Sequence, residues 1–199
     1  MSGFPRPNLN LPALAQFFKT RGIEKFGKAL ADEVLAINKH IETKVPERPS
    51  IQGMDETFSY KSRVDLQNPQ LLVRLSQAYY PEYAAARMHN VSPDNTIRPH
   101  LTTVLVDGEL ALVGGSGEFF SDHAIGLKAR SRAKKTLFFG YCNDHHAYFP
   151  TIQAAAEGGY GADATVSWVA LGAGEEMMNK ALINIYTMMG KFKTPIPGQ

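Results

Sequence analysis

Hydrophobic residues recur at helical spacing in one early segment of the chain. The repeating positions are three or four residues apart: Ile23, Phe26, Leu30, Val34, Ile37 and Ile41. This spacing places them on one face of an amphipathic helix. Pro46 and Pro49 follow, and proline does not continue a helix. The pattern therefore predicts a helix from Ile23 to about Ile41.

The middle of the chain carries the pattern of a β-hairpin. Residues 100–106 and 109–114 are apolar and rich in β-branched side chains, and Asp107-Gly108 joins them. Both residues tolerate the positive φ that a two-residue hairpin turn requires. Three further strands are predicted at 56–66, 135–142 and 165–171.

Helices alternate with these strands in the second half of the chain. The predicted helices cover 121–132, with Ser121-Asp122 as its cap, then 151–157 and 174–190. This order predicts an α/β fold, a mixed sheet with flanking helices. We expect an extended lead-in with a short helix at 1–19, a half-domain at 20–192 and a tail at 193–199.

Composition narrows the classes of function only slightly. The 199 residues are 44% hydrophobic and 20% charged, with a net charge of +2, so neither nucleic acid nor a membrane surface is favoured as a partner. The single cysteine, Cys142, excludes an internal disulfide and a cysteine-rich zinc site within one chain. No apolar run approaches the length of about 18 residues that a membrane span needs. The first residues show no signal-peptide pattern, and the compartment stays unassigned.

Two predicted strand ends carry the residues of greatest chemical interest. Glu118 follows a glycine-rich turn, and the polar run 143–148 follows the strand 135–142. Ligands of sheets flanked by helices bind beyond the carboxyl ends of strands. Glu118 is also compatible with a first-turn acid that stabilises the next helix, and His145 and His146 with surface histidines of a polar loop.

Five segments, taken in order, resemble the neutral/alkaline, non-lysosomal ceramidase family. Their sequences are FGKALADEV, TTVLVDGELALVGGSGEFF, LFFGYCNDHHAYFPT, EGGYGADATVS and GAGEEMMNKAL. Each motif is short, and their order and spacing carry the resemblance, which spans roughly residues 20 to 190. It implies that the chain forms the C-terminal half of a larger ceramidase-like catalytic domain.

The resemblance also implies a set of site residues. The family binds a catalytic zinc through two histidines, one glutamate and one tyrosine, and its motifs place the glutamate at Glu118 and the tyrosine at Tyr148. The two histidines belong to the other half of the domain, so zinc binding would need a partner chain or that N-terminal half. His145 and His146 are expected near the substrate as catalytic groups. Ser116 occupies the position at which the family has proline. This difference is expected to alter the turn that orients Glu118.

The resemblance further implies the reaction and the substrate class. Zinc would activate water for attack on the amide of an amphiphilic N-acyl compound such as ceramide. Two other functions remain open: a non-catalytic accessory subunit of a larger assembly, and a lipid-binding module without hydrolysis. The aromatic residues that would line such a lipid pocket are Phe119, Phe120, Tyr148 and Phe149.

Overall fold

The computed structural model describes residues 23–65, 67–71, 73, 94–164 and 166–193. The chain divides into two compact units, Met1–Pro46 and Glu47–Gln199. The predicted lead-in at 1–19, and the tail from residue 194 onward, lie outside the described residues.

The first unit contains helix α1, Ile23–Asn38, close to the predicted bounds. None of its residues is buried, and Leu30 on its apolar stripe is 59% exposed. On the polar side, Lys28 Nζ lies 2.9 Å from Asp32 Oδ2. An exposed pair of this kind stabilises a helix by about 0.3–0.5 kcal/mol.

The second unit is built around a four-stranded mixed sheet. The strands of the unit are β1 (Ile51–Thr57), β2 (Tyr60–Lys61), β3 (Thr96–Ile97), β4 (His100–Val106), β5 (Leu110–Gly115), β6 (Glu118–Phe119), β7 (Lys135–Phe139) and β8 (Tyr148–Phe149). The sheet order is β1-β4-β5-β7, in which β1, β4 and β5 are antiparallel neighbours and β7 is parallel to β5. Strands β2 and β3 form a separate antiparallel pair, and β6 and β8 a parallel pair.

Helices of the second unit pack against the sheet or lie near its ends. They are α2 (Ser121–Arg130), α3 (Ile152–Glu157) and α4 (Ala173–Met188). A mixed sheet with helices is the predicted α/β fold, which is confirmed.

The hairpin between β4 and β5 forms as its sequence predicts. Asp107 has φ of 52° and Gly108 has φ of 67°, the left-handed values that the two-residue turn requires. Along β4 the side chains alternate, so that Leu101, Thr103 and Leu105 are buried while their neighbours are partly exposed.

The core lies between one face of the sheet and helices α2 and α4. It joins Leu101 and Leu105 of β4 to Leu127 of α2 and to Met177 and Ile185 of α4. Burial of each such side chain contributes about 1.5–3 kcal/mol.

A polar contact crosses the same layer beside this apolar core. Asn184 Nδ2 donates to Thr103 Oγ1 at 3.3 Å, and Lys180 Nζ lies 2.8 Å from Glu56 Oε1. These contacts tie α4 to β4 and β1.

Several predicted element bounds were wrong. The segment 166–170 forms turns and irregular backbone rather than a strand. It is apolar because Trp168 and Val169 pack into the core, and the Trp168 carbonyl accepts from the Arg63 backbone N–H at 2.7 Å. Within the described residues 56–65, the predicted strand 56–66 is instead the end of β1 and the short β2.

Two further bounds differ near the helices and strands of the second half. Helix α2 has Phe120 at its N-cap with no side-chain cap hydrogen bond, so Ser121 is not its cap. Strand β7 ends at Phe139, before the predicted end at Cys142. Among the helices that the structure describes, none is long and apolar enough to cross a membrane.

Candidate active site

Glu118 and Tyr148 face each other across the two-residue parallel ladder of β6 and β8. The ladder is held by the Glu118 N–H donating to Ala147 O at 2.8 Å and the Phe120 N–H donating to Phe149 O at 3.1 Å. Paired residues of neighbouring strands are about 4.8 Å apart and point to the same face. The pairing therefore brings the Glu118 carboxylate and the Tyr148 phenol together, although the two residues are far apart in sequence.

The Glu118 carboxylate is the centre of a hydrogen-bond network. His145 Nε2 lies 3.1 Å from Glu118 Oε1, and Tyr148 and Tyr141 also bond to the carboxylate. Partial burial acts to raise the pKa of Glu118, but the hydrogen bonds from Tyr148, His145 and Tyr141 outweigh burial and hold the pKa below its usual value. Glu118 is therefore an anion at neutral pH.

Tyr148 connects this carboxylate to a second phenol. The Tyr148 hydroxyl donates to the Tyr160 hydroxyl at 3.2 Å. It also lies within hydrogen-bonding reach of Glu118, so its one proton serves either acceptor at a given moment. The bonds to Tyr160 and to Glu118 raise the pKa of Tyr148, because each stabilises the neutral phenol.

The loop between β7 and β8 supplies His145 and Tyr141 from a constrained backbone. Tyr141, Asn143 and Ala147 have φ of 54°, 65° and 63°, a left-handed conformation that residues other than glycine adopt infrequently. The Tyr141 ring stacks on the His145 ring, with 5.1 Å between centroids and an angle of 3° between planes. Such constrained residues cluster at functional sites, where the surrounding contacts hold them in place.

The turn before Glu118 is fixed by Ser116 and Gly117. Ser116 is fully buried, and its Oγ accepts from the His100 backbone N–H at 2.7 Å. A Cβ on Gly117 would lie 2.4 Å from Phe149 Cε2 and 2.8 Å from Ala147 O. Glycine is therefore required sterically at 117, and the hydroxyl of Ser116 anchors the turn to the first residue of β4.

The side chain of His146 is more deeply buried than that of its neighbour His145. Its side chain is 5% exposed, and Nε2 lies 3.3 Å from Asp144 Oδ2 without forming a hydrogen bond. Burial lowers the pKa of His146, and this outweighs the opposing effect of Asp144. The imidazole is therefore neutral at neutral pH.

The structure thus brings together three of the four residues singled out in the sequence. Glu118, Tyr148 and His145 meet at the carboxylate, whereas the buried His146 side chain lies beside Asp144. Tyr141 and Tyr160 join this group without having been predicted. Tyr141 could have been suggested by its position between strand β7 and the polar run. Tyr160 could have been suggested by the Gly158-Gly159 turn that precedes it.

The aromatic residues near the ladder divide into two groups. Phe149 is fully buried, and Phe119 stacks on it with 4.3 Å between centroids, so both belong to the core. Phe120 lies on the site side, edge-on to Tyr148 at 6.4 Å. The Phe119–Phe149 pair packs on the face of the ladder opposite Glu118 and Tyr148.

The chemical types of the donor atoms at this site are compatible with zinc binding. A carboxylate, an imidazole and a phenol converge, and each ligates zinc once deprotonated. Within the described residues, no group of three or more His, Cys, Asp or Glu side chains is placed to hold a metal ion. A stable zinc site here would thus combine Glu118 and Tyr148 with further ligands.

Comparisons with known proteins found no relative of this chain. No family model matches it, and neither the curated proteins nor the solved structures contain a match.

Proposed function

We propose that this chain contributes part of a zinc-dependent amide hydrolase site of the neutral-ceramidase type. Glu118 and Tyr148 would be zinc ligands, and the remaining ligands would come from a partner chain or a further segment. The observation that carries the proposal is the pairing of Glu118 with Tyr148 on β6 and β8, with His145 Nε2 3.1 Å from the carboxylate. Zinc, when bound, supplies Lewis acidity, which polarises an amide carbonyl and makes water more acidic.

The residues of the chain would have distinct tasks in this site. Glu118 is anionic and held by hydrogen bonds, so it offers a fixed oxygen ligand. Tyr148 would ligate as a phenolate after releasing its hydroxyl proton to water, and the Tyr160 hydroxyl, 3.2 Å away, would then donate a hydrogen bond to the phenolate oxygen. His145, whose ring stacks on Tyr141, would exchange a proton with a substrate amide. His146 would act from its buried position by supporting the loop.

The substrate class follows from the resemblance rather than from a cavity in the structure. An amphiphilic N-acyl compound is the expected substrate, and its amide would approach the exposed side of Tyr148 and Tyr160. Tyr160 is 79% exposed, so this side of the site is open to a large molecule.

Metal binding tests the proposal directly. Zn²⁺ titrated into the full chain in a calorimeter should bind weakly, because two protein ligands give lower affinity than three or four. Glu118→Gln and Tyr148→Phe should each abolish that heat. Glu109→Gln is the matched control, since Glu109 is an exposed glutamate paired with Lys134 in the hairpin. Zinc binding that is identical in all three variants would contradict the proposal.

A tyrosinate signal provides an independent readout of the same site. Ligation by Tyr148 should produce an ultraviolet difference band on addition of Zn²⁺, and Tyr148→Phe should remove it. Tyr186→Phe is the control, because its hydroxyl bonds to the Arg130 carbonyl of α2 instead.

One observation favours a second function, that of a non-catalytic accessory subunit. The Glu118 carboxylate already accepts hydrogen bonds from Tyr148, His145 and Tyr141, which is a self-contained structural network. If that role were the true one, Glu118→Gln would lower the free energy of unfolding by about 1–3 kcal/mol. Under the enzyme proposal the same substitution would cost similar stability and would also remove zinc binding, which the accessory role does not include. Urea unfolding of Glu118→Gln, set beside the zinc titration, separates the two.

A further inference from the structure

Four aromatic side chains either bond to the Glu118 carboxylate or lie one contact away from it. Tyr141 and Tyr148 both bond to the carboxylate. The Tyr148 hydroxyl donates to Tyr160, and the Phe120 ring packs edge-on against the Tyr148 ring. We call these four residues the aromatic cluster: Phe120, Tyr141, Tyr148 and Tyr160. The structure therefore places one negative charge among several aromatic rings.

The negative charge of Glu118 has no lysine or arginine beside it. Among the described residues, the ion pair of Glu118 is with His145, at 3.1 Å. The salt bridges that lysine and arginine form there go to other carboxylates. The Glu118 side chain is 19% exposed, so a ligand can reach the carboxylate while water solvates it incompletely. A carboxylate in such surroundings favours binding of a cation.

The rings of the aromatic cluster stand at steep angles to one another. The Tyr160 ring makes an angle of 71° with the Tyr148 ring, with 5.5 Å between centroids, and the Phe120 ring makes 90° with it at 6.4 Å. Tyr160 is 79% exposed and Tyr141 is 64% exposed, so much of their ring surface is open to a ligand. Ring faces attract cations that lie within about 6 Å of the ring centroid.

The backbone at Gly161 holds the aromatic cluster together. Gly161 has φ of 82°, which favours glycine. A Cβ at this position would lie 3.0 Å from Phe120 Cε1 and 3.2 Å from Tyr148 Cδ1. Glycine thus lets the chain pack closely on both rings, and the preceding residue, Tyr160, comes to lie beside Tyr148.

We propose that Glu118 and the aromatic cluster bind a quaternary ammonium group. The carboxylate has about four lone-pair positions, and Tyr141, Tyr148 and His145 already supply donors to it. A primary ammonium would compete with these donors for the oxygen atoms. A quaternary ammonium donates no hydrogen bond, and it is attracted by the negative charge and by the ring faces alone.

This inference does not rest on the proposed function. It uses Glu118 as an anion and Tyr148 as an aromatic ring, whereas zinc binding needs the Tyr148 oxygen as a ligand. Zn²⁺ bound to Glu118 would exclude the ammonium group from the same carboxylate. The two ligands should therefore compete.

Titration of choline into the full chain, followed by NMR of the tyrosine ring signals, tests the proposal. Choline should bind saturably, with a Kd on the order of 1 mM. Its uncharged analogue 3,3-dimethylbutanol should bind at least about fivefold more weakly, because it lacks the charge. Methylammonium should also bind more weakly than choline. Absence of saturable choline binding overturns the proposal, as does binding of either comparison compound that equals that of choline.

The exposed ring of Tyr160 provides a variant that leaves the fold intact. Tyr160→Ala should weaken choline binding by about two- to fivefold, whereas Tyr160→Phe should preserve it, because the ring face is retained. Phe192→Ala is the matched control, since Phe192 is an exposed aromatic residue that packs on Tyr186 instead. Equal choline affinity in Tyr160→Ala and Phe192→Ala would remove the aromatic cluster from the proposal.

Two substitutions separate this inference from the zinc proposal. Tyr148→Phe should abolish zinc binding and retain choline binding, because only the hydroxyl is lost. Glu118→Gln should weaken choline binding by about fivefold or more, and Glu109→Gln should not. Unchanged choline binding in Glu118→Gln overturns the inference. Zinc binding without choline binding in the wild-type chain would overturn this inference alone, and choline binding without zinc binding would overturn the proposed function alone.

A quaternary ammonium group occurs on soluble compounds and on lipid headgroups, and vesicles distinguish these sources. Co-sedimentation of the full chain with phosphatidylcholine vesicles, lost in Glu118→Gln, would identify a lipid headgroup. Binding of free choline without co-sedimentation would identify a soluble ligand. Either result supports the site.

Discussion

The helix-covered face of the four-stranded sheet and the separate β6–β8 ladder that carries Glu118, which we call the Glu118 edge, are built in different ways. The covered face buries side chains such as Leu105 and Met177 almost completely, within long strands and helices. The Glu118 edge uses a ladder of two residue pairs, a turn tied to β4 by Ser116, and a loop with left-handed residues. One region is held by apolar area, and the other by hydrogen bonds and close steric fit.

This difference determines how each region should respond to substitution. Loss of apolar volume should affect the covered face most, because its stability derives from burial. Loss of a backbone conformation or of a close approach should affect the Glu118 edge most. Substitutions matched in chemistry, but placed in the two regions, can separate these contributions.

The largest effect is expected from a pair of leucines on opposite faces of the sheet. Leu105→Ala should lower the free energy of unfolding by about 3–4 kcal/mol, because Leu105 is 1% exposed in the core. Leu112→Ala should cost about half as much, since Leu112 is partly exposed on the other face of the sheet. Urea unfolding measures both values. Equal losses would show that Leu112 is as well covered as Leu105.

A smaller effect is expected from Gly117 in the turn before Glu118. Gly117→Ala should cost about 2–3 kcal/mol, because the new Cβ would clash with Phe149 and with the Ala147 carbonyl. Gly126→Ala in helix α2 is the control, since a Cβ there meets nothing within 4 Å. It should stabilise the protein by up to about 1 kcal/mol. A neutral Gly117→Ala would contradict the close packing of the turn on β8.

The smallest effect tests the constrained loop. Ala147→Gly should change the free energy of unfolding by less than about 0.5 kcal/mol, because relief of the left-handed strain offsets the loss of a methyl group that is 2% exposed. Ala155→Gly, within helix α3, should lower it by about 1 kcal/mol. Thermal and urea unfolding should therefore show the larger loss in Ala155→Gly. An equal or larger loss in Ala147→Gly would show that the left-handed conformation of Ala147 carries no strain.

The sequence predicted the regular elements because their signals are local. The spacing of Ile23, Phe26 and Leu30 is sufficient to indicate helix α1, and Asp107-Gly108 is sufficient for the hairpin. The segment 166–170 was misassigned because its apolar residues enter the core from irregular backbone, and composition does not distinguish that from a strand.

The candidate site was predictable in part. Glu118, Tyr148 and His145 stood out as polar residues at strand ends, and the ladder of β6 and β8 joins two of them directly. The different burial of His145 and His146 depends on the backbone of the loop, which the sequence does not reveal. The Tyr160 contact depends on where the Gly158-Gly159 segment returns toward Tyr148, with φ of 80° and 97° at the two glycines.

The shortness of the β6–β8 ladder makes the identity of the facing side chains depend on a single alignment. A shift of one position would set Ala147 or Phe149 beside Glu118 and turn the phenol toward the interior. One residue inserted after Gly117 would thus change what the edge presents without changing its composition. The spacing of this short segment, as much as its residue types, is what natural or engineered variants of the chain would need to preserve.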